Sequence, residues 1–283
     1  MEIVKIYFKS EFFNIKDTLE CGQLFRFLPH ENGYLVFSLD KCCFCYSEDD
    51  STIVECLKDD EKYFYSYFDL ERSYEEIYKG AMSHNIDVLS LSAKHGKGIR
   101  ILNQNPLETL FSFIISQNNN IPRIKGIIDK LCKALGEKRT QFNYTYYSFP
   151  SVKVMAQQNL EFYKSIGLGY RADYVRKLAI QIHQGLNIDM FAELTTQNLK
   201  KQLVSIHGVG PKVADCVALF GFHRCDSFPV DTWIEKVYKD NFFGKLNDRD
   251  KITDYFVGLF GDNSGYYQQY LFYYKRSLEE KRK

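Results

Sequence analysis

The residue with the clearest chemical potential is Lys212, which follows the turn Gly208-Val209-Gly210-Pro211. Because proline suits the start of a helix, Lys212 is predicted to lie in a first helical turn, where the helix dipole disfavours an ammonium group. The positive helix end and desolvation both favour the neutral amine, which is a nucleophile. We therefore predict that Lys212 is catalytic. An alternative stays open, in which Asp215 pairs with Lys212 as a solvated ion pair.

A second candidate, Asp231, follows Phe228-Pro229-Val230 and lies nineteen residues after Lys212. The proline fixes an extended entry, and the aspartate is placed to cap the next predicted helix, whose backbone N–H groups would keep the carboxylate ionised. A carboxylate near an amine can stabilise positive charge that develops on a sugar. We predict that Asp231 assists catalysis, with a purely structural cap as the alternative.

The segment around the lysine predicts two helices joined by a tight turn, a helix-hairpin-helix at 199–221. Gly208 and Gly210 permit positive φ angles and close approach of the backbone, and the uncapped N–H groups of the second helix can face a phosphate. Gly208, Val209 and Gly210 are therefore candidates for contact with a nucleic-acid backbone, a contact that is independent of base sequence. An ordinary helical corner is the alternative.

The charge of the chain is unevenly distributed. The 283 residues carry a formal net charge of +1, but residues 1–90 sum to −9, residues 91–190 to +8 and residues 191–283 to +2. Such asymmetry indicates a polyanionic partner for the basic middle of the chain. A composition with 45% apolar and 26% charged residues excludes a disordered or fibrous protein.

The predicted elements give an α+β protein. Aromatic and β-branched residues from Tyr7 to about Tyr67 favour short antiparallel strands, including 35–39 and 42–46, with turns at 31–33 and 47–50. Beyond residue 98, helical periodicity predicts helices starting at Pro106 and near 122–135, 171–185, 197–205, 212–221, 232–240, 248–259 and 265–280. The cysteines lack zinc-ligand spacing, so we expect thiols and no metal.

Four ordered motifs resemble one known family. One motif joins the segments 208–216 and 228–231, and the other three are 105–114, 116–123 and 167–172. Together they are similar to the helix-hairpin-helix Gly/Pro-Asp (HhH-GPD) DNA glycosylases, and among these to the 8-oxoguanine DNA glycosylases. The resemblance implies a base-excision repair enzyme that flips 8-oxoguanine paired with cytosine out of duplex DNA. It also implies that Lys212 forms a Schiff base at C1′ with help from Asp231, followed by strand cleavage through β-elimination.

The resemblance also implies roles for further residues. A base pocket would comprise Gly22, whose carbonyl would accept a hydrogen bond from the N7–H group of 8-oxoguanine, with Cys216, Gln268 and Phe272. The plug, the wedge and the reading of the opposite cytosine fall to Asn118, Arg123, Tyr170 and Arg171. By residue type alone, Gln268 and Phe272 fit a helix core, Gly22 a turn, and the arginines phosphate contact or exposure.

The family pattern implies a TBP-like antiparallel sheet domain at 1–98 and an all-helical glycosylase region at 99–283, which ends in a pocket helix at 265–280. One departure concerns backbone contact: Trp233 stands where many members have a phosphate-binding histidine, so an indole N–H replaces a titratable ring. We expect a monomer that needs no cofactor. Because the N-terminus does not resemble a signal peptide, we expect it in the cytoplasm of a bacterial or archaeal cell.

Three alternatives accompany this interpretation. A monofunctional alkylpurine glycosylase would keep Asp231 but would not need Lys212. An iron-sulfur relative would carry four cysteines beyond the aspartate, whereas no cysteine follows Cys225. A non-catalytic DNA-binding module would explain the hairpin, but not the joint presence of Lys212, Asp231, Gln268 and Phe272.

Overall fold

The structure is a computed structural model that describes residues 2–280, with side chains up to Glu279. In that range the strands are β1 Ile3–Lys9, β2 Phe27–His30, β3 Gly33–Ser38, β4 Lys41–Glu48, β5 Ser51–Leu57, β6 Lys138–Gln141 and β7 Tyr144–Tyr147. The helices are α1 Ile15–Glu20, α2 Glu61–Tyr67, α3 Tyr74–Ser83, α4 Asp87–His95, α5 Pro106–Ser116, α6 Ile121–Leu135, α7 Val152–Ala156, α8 Leu160–Ser165, α9 Arg171–His183, α10 Thr196–Val204, α11 Pro211–Gly221, α12 Thr232–Asn241, α13 Arg249–Phe260 and α14 Ser264–Glu280.

The first five strands form one sheet in the order β1-β5-β4-β3-β2. β1 pairs antiparallel with β5 in the register Ile3↔Leu57 to Lys9↔Ser51, and β2 pairs antiparallel with β3 from Phe27↔Val36 to His30↔Gly33. The predicted α+β class, an antiparallel sheet followed by a helical region, is confirmed.

The chain divides into two compact units of discontinuous segments. We call Phe25–Phe44 with Gln104–Phe222 the hairpin unit, and Glu2–Leu24 with Cys45–Asn103 and His223 onward the C-terminal unit. The predicted boundary between residues 98 and 99 stays a prediction, because each unit takes segments from both sides of it.

The core of the hairpin unit is built on α5. Asn105 caps this helix by accepting hydrogen bonds from the amides of Leu107 and Glu108, and residues 108–115 are all buried. The buried Glu108 carboxylate accepts from Arg26 at 3.0 Å and from the Leu39 amide at 2.6 Å. Pairing and hydrogen bonding offset the cost of burying these two charges.

In the C-terminal unit, a fully buried guanidinium ties distant segments together. Arg100 is 0% exposed and donates to the carbonyls of Phe68, Phe12, Asp69 and Arg72. Burial lowers the pKa of this arginine. With its donors accepted by backbone oxygens, the guanidinium is a structural tie between segments far apart in sequence.

Two predictions of the sequence are wrong. Helices α1 and α2 both lie inside the stretch from Tyr7 to about Tyr67 that was predicted to form short strands. In α2 the alternating aromatic residues favour a strand locally, which explains that error. The predicted all-helical region contains the hairpin β6–β7, where Gln141↔Tyr144 pairing leaves Phe142 and Asn143 as a two-residue turn with φ of 50° and 54°. Positive φ at both positions is typical of a type I′ hairpin turn.

Other predictions are confirmed. Each helix predicted beyond residue 98 is present, and all eight cysteines are thiols. Cys42, Cys43 and Cys45 are buried residues of strand β4. Within residues 2–280, no helix combines the length and the apolar character needed to cross a membrane.

Candidate functional site

The hairpin turn between α10 and α11 depends on one glycine. Gly208 has φ of +88°, and a Cβ atom added there would lie only 2.3 Å from Cγ of Tyr174. The carbonyl of Gly208 accepts a hydrogen bond from Gln117 Nε2 at 2.9 Å, and the amide of Val209 donates to Ile206 at 3.0 Å. The turn is therefore fixed by backbone conformation, close packing and hydrogen bonds together.

The start of α11 lies next to this turn and has no side-chain cap among the described residues. Gly210 is the N-cap residue in an extended conformation. A Cβ atom added at Gly210 would meet nothing within 4 Å. Uncapped amides at the positive end of a helix form a binding site for an anion such as a phosphate.

Lys212 lies in the first turn of α11, as predicted, and its side chain is half-buried. Its Nζ atom lies 5.5 Å from the ring centroid of Phe113, which stacks on Phe220 and meets Phe25 edge-on. The aromatic face attracts the ammonium form of Lys212, whereas the helix dipole and partial burial favour the neutral amine that a nucleophile requires. The helix that carries Phe113 was predicted from the sequence, but this contact was not, because the two residues are far apart in the chain.

Asp215 and Cys216 lie on the same helix as Lys212, within four residues of it. Asp215 is 3% exposed, and its Oδ1 lies 2.5 Å from Nζ of Lys200 on α10. This ion pair gives the aspartate a role in joining the two helices of the hairpin. Cys216, one turn beyond Lys212, is also buried, at 3% exposure.

The residues predicted as plug, wedge and opposite-base readers lie together in the hairpin unit. Asn118, at φ of 45°, donates from Nδ2 to the Tyr170 hydroxyl at 3.3 Å, and the Tyr170 side chain is 51% exposed. Arg123 is exposed and donates to the Gly167 carbonyl at 3.2 Å. An exposed amide, phenol and guanidinium thus form one polar, partly aromatic surface.

Arg171 is the member of this group that the structure does not expose. It is 3% exposed, and its guanidinium donates to the carbonyls of Gln117 at 2.7 Å, Asn118 at 2.9 Å and Leu168 at 3.3 Å. These bonds hold the Gln117-Asn118 backbone in place. Contact of Arg171 with an opposite base stays a prediction, and it would require some of these donors to change partner.

Asp231 is the N-cap of α12 in the C-terminal unit, as the sequence predicts. Its Oδ1 accepts from the amides of Trp233 at 2.9 Å and Ile234 at 3.0 Å. Trp233 is half-buried, and Nζ of Lys236 lies 4.9 Å from its ring centroid. Two backbone donors stabilise the ionised form of a carboxylate.

Gln268 is buried on α14 at 5% exposure, and its Nε2 donates to the Pro229 carbonyl at 3.1 Å. Its Oε1 is also buried, and none of the residues 2–280 donates a hydrogen bond to it. A buried acceptor without a donor costs free energy unless a ligand satisfies it. This amide oxygen is therefore suited to receive an N–H group from a bound molecule.

Gly22 and Phe272, two of the predicted pocket residues, lie next to each other within the C-terminal unit. Gly22 has φ of +93°, and a Cβ atom added there would lie 3.2 Å from Cε1 of Phe272 and 3.4 Å from Nη1 of Arg276. The neighbouring Gln23 is fully buried and bonds the carbonyls of Thr18 and Arg100 at 2.9 and 2.7 Å. Gln23 and Arg276 were missed as supports of this turn.

Two family sequence models cover most of the chain. The N-terminal domain of 8-oxoguanine DNA glycosylase matches residues 5–110, and the HhH-GPD superfamily of base excision DNA repair proteins matches residues 111–259. The chain belongs to the 8-oxoguanine DNA glycosylase family of this superfamily. The family predicted from the ordered motifs is confirmed.

Individual relatives agree with this membership. A probable N-glycosylase/DNA lyase of Methanothermobacter thermautotrophicus is 30% identical, with 74% of this chain and 72% of that protein covered. A structure of MBOgg1 in complex with a low-affinity DNA ligand has a TM-score of 0.92 at 35% identity, covering 99% of this chain and 100% of that chain. The Clostridium acetobutylicum 8-oxoguanine glycosylase/lyase, in complex with double-stranded DNA containing cytosine opposite 8-oxoguanine, has a TM-score of 0.90 at 35% identity and covers 95% and 93%.

Proposed function

We propose that this protein, a DNA glycosylase/lyase of base-excision repair, removes 8-oxoguanine paired with cytosine from duplex DNA and then nicks the abasic strand. The observation that carries the proposal is the position of Lys212. A lysine at the uncapped start of α11, half-buried against the face of Phe113, lies at a helix end suited to phosphate binding. An amine held beside a DNA backbone is placed to attack a deoxyribose.

The chemistry assigned to Lys212 begins with loss of its proton. The neutral amine attacks C1′ of the damaged nucleotide, the bond between C1′ and N9 breaks with its electrons going to the base, and the base leaves after taking a proton. In the resulting C1′ adduct, the lysine nitrogen forms a double bond to C1′ as the C1′–O4′ bond breaks and O4′ takes a proton, which gives the Schiff base. Removal of a C2′ proton then expels the 3′ phosphate, which is the β-elimination step.

Asp231 acts on the charge that this reaction creates. As the glycosidic bond lengthens, positive charge develops on the sugar, and a carboxylate stabilises it. Hydrogen bonds from the Trp233 and Ile234 amides favour the carboxylate form of Asp231 and hold it in place, so it need not reorganise during the reaction. Its capping and catalytic roles are therefore compatible.

Recognition of the base is assigned to Gly22, Cys216, Gln268 and Phe272. 8-Oxoguanine differs from guanine in having an N–H group at N7, and the Gly22 carbonyl would accept a hydrogen bond from it. The buried Oε1 of Gln268 supports this role, because it lacks a donor among the described residues and guanine-type bases present N–H groups. Phe272 and Cys216 would contact the two faces of the base, which must first leave the duplex.

The remaining contacts hold the duplex. Asn118 and Tyr170 would fill the gap left by the flipped nucleotide, while Arg123 and Arg171 would read the opposite cytosine, since guanidinium groups suit base-edge contacts. The DNA backbone would be contacted by Gly208, Val209, Gly210 and Trp233. The net charge of +8 over residues 91–190 favours this partner.

Excision assays on defined duplexes test the proposal. We expect the wild-type protein to release 8-oxoguanine faster opposite cytosine than opposite the other three bases, and faster than it releases 3-methyladenine. Lys212→Gln abolishes release, whereas the control Lys251→Gln, which changes an exposed lysine in the first turn of α13, leaves it unchanged. Equal release of both lesions would favour an alkylpurine glycosylase, and equal rates opposite all four bases would contradict the role of Arg123 and Arg171.

A further inference from the structure

Arg276 lies on the same face of α14 as the proposed base-contacting residues Gln268 and Phe272. Gln268, Phe272 and Arg276 follow one another at intervals of four residues, so they share one face of the helix. The guanidinium carbon of Arg276 lies 5.6 Å from the ring centroid of Phe272. Its Nη1 lies 3.4 Å from the position that a Cβ atom on Gly22 would occupy. Arg276 therefore lies next to two proposed pocket residues.

The same arginine fixes the backbone that leads to Gly22. Arg276 Nη2 donates to the carbonyl of Glu20, the last residue of α1, and Gln269 Nε2 donates to the carbonyl of Cys21 at 2.6 Å. One turn further along, the Tyr273 hydroxyl donates to Asp17 of α1 at 2.8 Å. Both carbonyls before Gly22 are thus held from α14, which restricts the peptide planes that precede it.

We infer that Arg276 is a positioning residue for lesion recognition, in that it aims the Gly22 carbonyl and packs beside the ring of Phe272. This inference rests on the proposed function. A single acceptor distinguishes 8-oxoguanine from guanine only if it meets N7 at hydrogen-bond distance, because guanine lacks that proton. Preorganisation of such an acceptor requires support from neighbouring groups, and here a guanidinium provides it.

Base recognition and lyase chemistry should depend on Arg276 to different extents. An abasic site has no base, so its cleavage depends on the Schiff base at Lys212 and not on the Gly22 turn. Loss of Arg276 should therefore impair release of 8-oxoguanine and spare cleavage of DNA that already contains an abasic site. A merely structural role would reduce both activities in parallel.

The test compares Arg276→Met with Lys275→Met under single-turnover conditions. Lys275 is the matched control, because it carries the same charge on the adjacent position of α14 and pairs with Asp240 at 3.0 Å. We expect Arg276→Met to slow 8-oxoguanine release about tenfold, the equivalent of one hydrogen bond, with abasic-site cleavage unchanged, and Lys275→Met to leave both rates unchanged. An unchanged release rate in Arg276→Met, or an equal loss in both assays, would overturn the inference. Absence of 8-oxoguanine release by the wild-type protein would instead refute the proposed function.

Discussion

The two glycines of the hairpin turn should respond very differently to alanine. At Gly208, an alanine would have to adopt φ of +88° and place its Cβ 2.3 Å from Tyr174 Cγ and 2.7 Å from Tyr174 Cβ. The backbone conformation costs about 1–2 kcal/mol and the overpacking about 1–3 kcal/mol. The lower entropy of the unfolded alanine chain returns about 0.4–1 kcal/mol. We expect Gly208→Ala to lower the free energy of unfolding by about 1–4.5 kcal/mol, measured by urea denaturation.

Gly210 is the internal control for this prediction. Its φ of −91° suits any residue, and a Cβ atom there would meet nothing within 4 Å, so Gly210→Ala should change the free energy of unfolding by less than about 0.5 kcal/mol. If a DNA phosphate approaches this backbone as proposed, the same substitution should weaken binding to duplex DNA about tenfold, measured by fluorescence anisotropy at fixed salt. Equal destabilisation by the two substitutions would refute the reasoning on Gly208. Unchanged DNA affinity of Gly210→Ala would refute the assigned phosphate contact.

Two further predictions concern carboxylates. Asp231→Ala removes an N-cap and should lower the free energy of unfolding by about 0.5–2 kcal/mol, whereas Asp231→Asn keeps a hydrogen-bond acceptor and should retain stability. Both variants should lose base release in single-turnover assays. Full activity of Asp231→Asn would show that Asp231 is only a cap. Hydrogen bonds from Lys177 and then His207 lower the pKa of Asp173, so its stabilising effect is present above the ordinary carboxyl pKa and is lost as pH falls through the lowered value. Because Asp173 is 40% exposed, the effect is small. Urea denaturation between pH 2 and 6 should show a shallower loss of stability for Asp173→Asn than for the wild type, and parallel curves would contradict this.

Much of the helical region could be predicted because its signals are local. Asn105 and Pro106 mark the start of α5, and Asp231 is placed one residue before α12 and caps it. The helix α2 was missed because Tyr63, Tyr65 and Tyr67 alternate as in a strand, and burial of Phe64 and Tyr67 outweighs that local preference.

The positions of the candidate catalytic residues were predictable, but their surroundings were not. Lys212 was identified from the turn before it, yet the ring beneath it belongs to Phe113, 99 positions earlier in the sequence. Arg171 was expected to face a base, and the structure instead buries it against carbonyls at Gln117 and Asn118. Contacts between such distant residues arise from tertiary packing, which local spacing does not encode.

The most direct test of the central claim is reductive trapping of the Schiff base followed by peptide mapping. Incubation with duplex DNA containing 8-oxoguanine opposite cytosine, in the presence of borohydride, should yield a covalent complex whose modified peptide carries the sugar on Lys212. Lys212→Gln should give no complex, and Lys251→Gln should give as much as the wild type. Undiminished trapping in Lys212→Gln, or an adduct on a different residue, would contradict the assignment of Lys212 as the nucleophile.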